Sequence, residues 1–323
     1  MIKTTPYINE LKKDETLKRV FLVTYKEVKT TKKNEPYLEM EFFDKTGRIA
    51  AKMWNDKDDK VRVTDKLFSK NDFILVEGVT NEYQNKLQVI VNSAEKVDNE
   101  KVDYSEFTQQ TKQDIELLYI QLKEKMDLIK DPYLSKLVFS FLDDKDFLTA
   151  FKKSSASIKF HQAYVGGLLE HTVKLLSLTN DLFVSYPALN RDLLLAGIFL
   201  HDIGKVKEYQ IHIKPEHTDE GRLIGHTVLG ILMIEEKIKK IKDFPAELTM
   251  QIRHLIASHH GEKIYGAPVL PMIAEAIALH FLDNLDASLA DYYRSVDALP
   301  EDAKWTNWIE SMERRLYKNK PQE

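Results

Sequence analysis

The chain has 323 residues, 43% of them hydrophobic and 30% charged, with a formal net charge of −4. At roughly 150 residues per domain this length fits two domains; the composition excludes a low-complexity or disordered polymer, and the charge excludes a global positive field, so a nucleic acid would have to be held by a local patch. With no cysteine in the chain, a disulfide framework, an iron–sulfur cluster and a thiolate zinc site are excluded, and any metal must take His, Asp or Glu.

The N-terminal MIKTTPYINELKKDE has no apolar signal-peptide core, and no apolar run approaches the roughly 18 residues a membrane span needs. The expectation is a cytoplasmic protein with no membrane partner. Residues 1 to about 100 alternate with period two: Val20-Leu22-Thr24, Leu38-Met40-Phe42, Ile49-Ala51-Met53, Ile74-Val76 and Leu87-Val89-Val91. That is the pattern of five short strands with one face on a core, and Phe43-Asp44-Lys45-Thr46-Gly47-Arg48 supplies a turn between the second and third. A five-stranded domain of this size is compatible with an OB-fold barrel, a sandwich or another small barrel.

Residues 1–100 carry 19 Lys/Arg against 18 Asp/Glu, or +1, which leaves −5 for the remainder. If Met53 faces inward, Lys52 and Trp54 face outward together, a cation beside an aromatic of the kind that holds single-stranded nucleic acid by phosphate contact and base stacking. A contact of Trp54 to the other domain is the competing reading, and Glu39 and Glu41 on the neighbouring strand would repel phosphate.

From about residue 105 the period becomes helical. Ile115, Leu118, Leu122, Met126 and Ile129 mark an amphipathic helix ending near Asp131-Pro132 that would bridge two domains. Further helices are expected over 133–151, 161–186, 190–203, 224–241, 246–259, 269–291 and 300–317. The fold expected is multi-domain α and β: an N-terminal OB-like barrel (1–100), linking helices (101–155) and an all-α domain (156–323).

All ten histidines fall between His161 and His280. Within that stretch lie His171, the pair His201-Asp202, His226, the pair His259-His260, and Asp283. Imidazole and carboxylate together suit Mn, Fe, Co, Ni and Zn. His201-Asp202 ends the apolar run 193–200, and an ionisable pair at the end of a buried helix costs several kcal/mol unless it is paired or coordinated. A lone His on an apolar face is usually a hydrogen-bonded core residue; the weight here comes from the order and context of all seven residues.

That ordered set resembles the HD-domain metal-dependent phosphohydrolases over roughly residues 155–295. With the extra His and the later His-His, it resembles the two-metal phosphodiesterase members. The resemblance implies His171, His201, Asp202 and Asp283 as ligands of one metal, with Asp202 bridging to a second held by His226, His259 and His260.

A narrower likeness covers nearly the whole chain. His161-Gln162-Ala163-Tyr164-Val165-Gly166-Gly167-Leu168-Leu169-Glu170-His171-Thr172, Ser258-His259-His260-Gly261, and the run from Tyr265 to Pro271, behind an OB-like barrel, are similar to the YhaM family of 3′-5′ exoribonucleases. This implies a barrel that captures single-stranded RNA, with DNA as an alternative, and an HD domain that cleaves it from the 3′ end. Mn2+ is the favoured ion, with two ions bound and Fe, Co, Ni, Zn and Mg as alternatives. Two ions ~3.5–4 Å apart would activate a water for in-line attack on phosphorus, giving nucleoside 5′-monophosphates.

Lys205, three residues after Asp202, would share its helical face and reach a phosphate oxygen; the family motif includes it. His161 and Tyr164 precede His171 by ten and seven residues, about three and two helical turns, and are candidate substrate contacts on the same helix. His280 and Asp286, each three residues from Asp283, are candidates to orient ligands. His212, His217 and His254 have no motif context. Two other functions compete: an HD phosphohydrolase of a small nucleotide with a regulatory barrel, and a non-catalytic nucleic-acid-binding protein. The intact set of seven argues against the second of these.

Overall fold

The computed structural model describes residues 5–54, 59–84, 86–108, 110–157, 164–211, 215–297, 299–300 and 303–319. The chain divides into two units, Met1–Gln109 and Gln110–Glu323.

In the first unit five strands close a barrel: β1 (Thr16–Thr30), β2 (Pro36–Asp44), β3 (Gly47–Trp54), β4 (Phe73–Tyr83) and β5 (Lys86–Lys96), in the order β1-β2-β3-β5-β4. A short helix, α1 (Lys60–Asp65), precedes β4. All neighbours are antiparallel except β3 and β5, which run parallel with Ala51 opposite Val89. This closed five-stranded arrangement is the OB fold among the expected alternatives.

The core takes Leu38, Met40 and Phe42 from β2, Ile49, Ala51 and Met53 from β3, and Val89 and Val91 from β5, the residues whose alternation marks the strands in the sequence. In β1 the phase differs. The barrel core receives Leu17, Phe21 and Val23, whereas Val20 and Leu22 are buried outside that core. Both faces of β1 are covered, so its apolar run does not alternate, and period alone cannot choose the inner face. At the edge of this core the Arg19 guanidinium meets the Asp44 carboxylate at 2.8 Å, both side chains fully buried.

The second unit contains α2 (Ile115–Met126), α3 (Pro132–Leu142), α4 (Lys145–Lys153), α5 (Gly167–Ser185), α6 (Arg191–Leu200), α7 (Lys205–Glu208), α8 (Asp219–Ile224), α9 (His226–Ile238), α10 (Ala246–Ser258) and α11 (Ala274–Asp297). It is not wholly helical: β6 (Tyr209–Ile211) and β7 (Pro215–His217) form a two-stranded sheet.

The helix expected to bridge the domains, α2, contributes Leu118, Leu122 and Met126 to the core of the helical unit. Asp131-Pro132 opens α3 rather than merely closing α2: Asp131 Oδ1 accepts the N–H groups of Tyr133 and Leu134 at 2.9 Å each, with Pro132 at the first helical position, where a missing N–H costs nothing. The helix expected over 300–317 does not form among the described residues; that segment holds antiparallel bridges Trp305–Tyr317 and Ile309–Arg314 and one 3-10 turn, Glu310–Met312. Among the described residues no helix is long and apolar enough to cross a membrane.

At the centre lies α6, with every residue from Leu193 to Leu200 buried. Helices α3, α5, α10 and α11 pack around it. This burial fixes the position of its C-terminal end, where His201 and Asp202 follow.

Candidate metal centre

Most of the ligand-type residues sit at helix ends. His201 caps α6 and Asp202 follows it; His259 caps α10 and His260 follows it; His226 is the first residue of α9. His171 and Asp283 project from within α5 and α11. Helices α6 and α10 thus end at the same place, and the partial negative charge of a helix C-terminus favours a cation there.

The structure brings all seven residues together as two clusters around one carboxylate. His171, His201 and Asp283 form one group, and His226, His259 and His260 the other, each with ligand atoms within 4.8 Å of one another. Asp202 stands between them. Its Oδ2 lies 3.2 Å from His201 Nε2 and 3.9 Å from His171 Nε2; its Oδ1 lies 3.6 Å from His226 Nε2 and 3.7 Å from His259 Nε2. His171 Nε2 is 3.2 Å from Asp283 Oδ1.

The hydrogen bonds behind the rings fix which nitrogen faces inward. His201 Nδ1 donates to Ile198 O at 2.8 Å and His259 Nδ1 to Ile256 O at 2.7 Å. A carbonyl only accepts, so both rings carry their proton on Nδ1 and turn an Nε2 lone pair to the centre. His171 Nδ1 meets Asp286 Oδ2 at 2.7 Å, and His226 Nδ1 meets Glu208 Oε2 at 3.0 Å.

The chemistry of this donor set fits divalent metal. Asp202 Oδ1 and the Nε2 atoms of His201 and His259 are buried without a hydrogen-bond partner, a costly state for three polar atoms unless a cation satisfies them. His226 Nε2 and His260 Nε2 are 3.0 Å apart, a separation of two ring nitrogens that a shared cation stabilises. Burial pushes the His259 imidazole well below its usual range, and burial together with His226 lowers His260 to about 4, so both are neutral donors near pH 7. Burial opposes ionisation of Asp202, yet His201 and Lys205 hold its carboxyl well below the ordinary value. Burial also lowers His171, but Asp283 and Asp286 outweigh it and raise it to about 9.

The remaining expected residues are placed as follows. Lys205 is buried, and its Nζ donates to Asp202 Oδ2 at 2.6 Å. It opens the short helix α7 after a turn rather than extending α6. Tyr164 does not lie on the helix of His171: α5 begins at Gly167 behind Gly166, whose φ of +81° is a left-handed conformation that glycine adopts freely. The Tyr164 hydroxyl donates to Glu170 Oε2 at 2.9 Å. His161 and His212 lie outside the described residues. His280 Nδ1 donates to His259 O at 3.0 Å, backing a ligand through its main chain, and His254 Nε2 accepts the N–H of Met272 at 2.9 Å.

Sequence reasoning missed two acidic residues. Glu208 backs His226 from 18 positions away in the chain, and only folding joins them. Glu170, next to His171, gathers Thr111 Oγ1 at 2.5 Å, Tyr164 and Lys174 Nζ at 2.8 Å; its place beside a ligand was the one available signal.

On the barrel, Met53 is buried and Trp54 is 43% exposed. Lys52 Nζ lies 5.9, 5.8 and 5.1 Å from the ring centres of Tyr37, Trp54 and Tyr83, and Tyr37 and Trp54 sit 5.0 Å apart. Glu39 is directly opposite Lys52, but its carboxylate is engaged by Lys29.

The HD-domain family matches residues 168–288, and the OB-fold nucleic acid binding domain family matches residues 23–97. An HD domain implies divalent-metal dependence, and each of the two clusters could hold a metal ion. The chain is 28% identical to the 3′-5′ exoribonuclease YhaM of Bacillus velezensis over 94% of each chain. It is 30% identical to that of Oceanobacillus iheyensis over 89% of each, and 30% identical to that of Bacillus subtilis over 88% of each. Both domain types, in this order and over nearly the full length of these relatives, place the molecule: the chain belongs to the YhaM family of 3′-5′ exoribonucleases.

Proposed function

We propose that the chain is a divalent-metal-dependent exoribonuclease that removes nucleotides from the 3′ end of single-stranded RNA, and of single-stranded DNA as a second substrate, releasing nucleoside 5′-monophosphates. The observation that carries this reading is the Asp202 carboxylate, one oxygen facing each of two imidazole clusters. With one oxygen toward each cluster, Asp202 would serve as a donor to both groups of imidazoles if each held an ion. His171, His201, Asp202 and Asp283 would hold one ion, and Asp202, His226, His259 and His260 the other. The mixed imidazole and carboxylate set accepts several first-row divalent ions, and the resemblance to the YhaM family implies manganese among them. Divalent ions held there supply charge neutralisation on the phosphate and a nucleophilic water near neutral pH.

The residues of the chain do the rest. Buried helices hold the donors in place before substrate arrives, so little reorganisation accompanies reaction. Lys205, held by Asp202, would donate to the phosphate oxygens on which negative charge grows. A new bond joins the water oxygen to phosphorus. The bond from phosphorus to the 3′ oxygen of the preceding nucleotide breaks, and that oxygen takes up the proton equivalent released by the attacking water to become the new terminal hydroxyl. Trp54 and Lys52 on the barrel offer ring stacking and a cation to the strand. Because Glu170 engages the Tyr164 hydroxyl, a substrate contact from Tyr164 would be made by its ring. The names of the relatives support the polarity and the RNA substrate.

A 5′-labelled single-stranded RNA incubated with the protein in Mn2+ and in EDTA, beside Asp202→Ala, tests this. A ladder shortening from the 3′ end in Mn2+ alone, absent with the variant, is expected. A strand left uncut under every divalent metal would overturn it in favour of a small-nucleotide hydrolase.

A further inference from the structure

The segment 303–319, which no part of the metal centre uses, forms an irregular hairpin. Thr306 N donates to Leu316 O at 2.9 Å, Ile309 N to Arg314 O at 2.9 Å and Lys318 N to Lys304 O at 2.8 Å. The Tyr292 hydroxyl of α11 donates to Tyr317 O at 2.8 Å and ties the hairpin to the bundle.

Each arm carries one buried side chain between two exposed neighbours. Thr306 and Leu316 are 7% and 8% exposed and face inward, whereas their neighbours Trp305 and Tyr317 are 58% and 43% exposed. This is the two-faced pattern of paired extended chains. Trp305 and Tyr317 stand edge to face at 5.0 Å. Trp308 is 60% exposed, and Lys304, Arg314 and Arg315, on the same two arms, are exposed as well. Over residues 303–319 four basic residues face two acidic ones, a balance of +2, although residues beyond 100 carry −5 as a whole.

Large aromatic faces left in water are costly without a partner, and a protein partner would gain little from the clustered cations. Rings interleaved with arginine and lysine match a polyanion whose flat bases stack and whose phosphates pair with the cations. We infer that this hairpin is a second binding platform for single-stranded nucleic acid, carried by the helical unit itself, with Trp305, Trp308 and Tyr317 stacking bases and Arg314 and Arg315 on the phosphates. This rests on the reading that the substrate is a single strand.

The chain has three tryptophans, so in Trp54→Phe the only tryptophan emission comes from the hairpin. Titrating this variant in EDTA with a twelve-residue oligouridylate should quench that emission saturably, and added salt should reverse it. Trp308→Ala combined with Arg315→Glu should bind the oligomer about tenfold or more weakly, while hydrolysing bis(p-nitrophenyl) phosphate with Mn2+ at the parent rate.

Emission unchanged by the oligomer, or a double variant with parental affinity, would overturn the platform. So would a double variant whose sedimentation shifts while RNA affinity holds, since that marks a protein interface. If the Trp54→Phe emission is quenched but the unsubstituted protein cuts no RNA, the platform stands and the exoribonuclease reading falls; if the protein cuts RNA while the Trp54→Phe emission is unchanged, the reverse holds.

Discussion

Four imidazoles at the centre have their Nδ1 engaged, two by backbone carbonyls and two by carboxylates. The carbonyl-backed pair, His201 and His259, cannot lose its support through side-chain substitution, whereas His171 and His226 depend on Asp286 and Glu208. Removing a partner of this kind typically costs metal affinity 10–100-fold, roughly. Asp286→Ala should therefore weaken one Mn2+ site and Glu208→Ala the other, each by about tenfold or more, read by calorimetric titration of the metal-free protein. Parental affinity in both variants would show that the ring orientations are set by packing alone. Glu170 has a different role. Burial raises its carboxyl, but Lys174, Thr111 and Tyr164 together lower it below the ordinary carboxylate value. A lowered folded-state value means stability that is present above the unfolded carboxylate range and is lost as pH falls through the folded value. Glu170→Gln should flatten the acid limb of the stability curve below about pH 4.3, measured by denaturant unfolding against pH.

At the scale of elements, the centre is made where helices stop. Helix α6 is apolar and buried from Leu193 to Leu200, so its end can be pinned against α10 and α11 while the first polar residues beyond it, His201 and Asp202, emerge at the candidate centre. Helix α9 is brought to that end by a close approach at Gly204. A Cβ there would lie 1.9 Å from His226 O and 2.6 Å from Gly230 N, both backbone atoms that cannot swing aside. Gly204→Ala should displace the first turn of α9 and with it His226. The expected result is a fall in Mn2+ stoichiometry from two to one by calorimetry, with the His171 cluster retained; an unchanged stoichiometry would mean that α9 yields without moving its ligand. The hairpin at 303–319 shows the converse case, where helical spacing of apolar residues was present but cross-strand pairing of Trp305 with Tyr317 prevailed.

At the scale of the molecule, each unit has its own apolar core. In the barrel the Arg19–Asp44 pair is wholly buried, and removing one partner strands the other charge at a cost of about 3–5 kcal/mol. Asp44→Ala should lower the barrel's unfolding transition and leave Mn2+ affinity untouched. The complementary measurement is calorimetry with and without metal. At about 100 times its dissociation constant a ligand adds about 2.7 kcal/mol to the unit that binds it. Mn2+ should raise the transition of the helical unit and not that of the barrel, and EDTA should reverse the gain. A shift of both transitions together would mean that the two units unfold as one.

The sequence by itself determined the strand period of the first hundred residues, the helical period beyond them and the seven ligand-type residues, because periodicity and residue chemistry are local properties. It did not decide which face of β1 turns inward, since both faces are apolar and buried. Nor did it reveal that Gly166 and Gly167 start α5 after Tyr164, that Lys205 binds Asp202, or that Glu208 backs His226. The first two depend on the local path of the backbone, at the turn before α5 and the turn after α6, and the last on a contact between residues 18 positions apart. The division of the seven residues into two groups was implied by resemblance alone; only the tertiary structure set one oxygen of Asp202 toward each group, because that geometry exists only once α5, α6, α9, α10 and α11 meet around a common core.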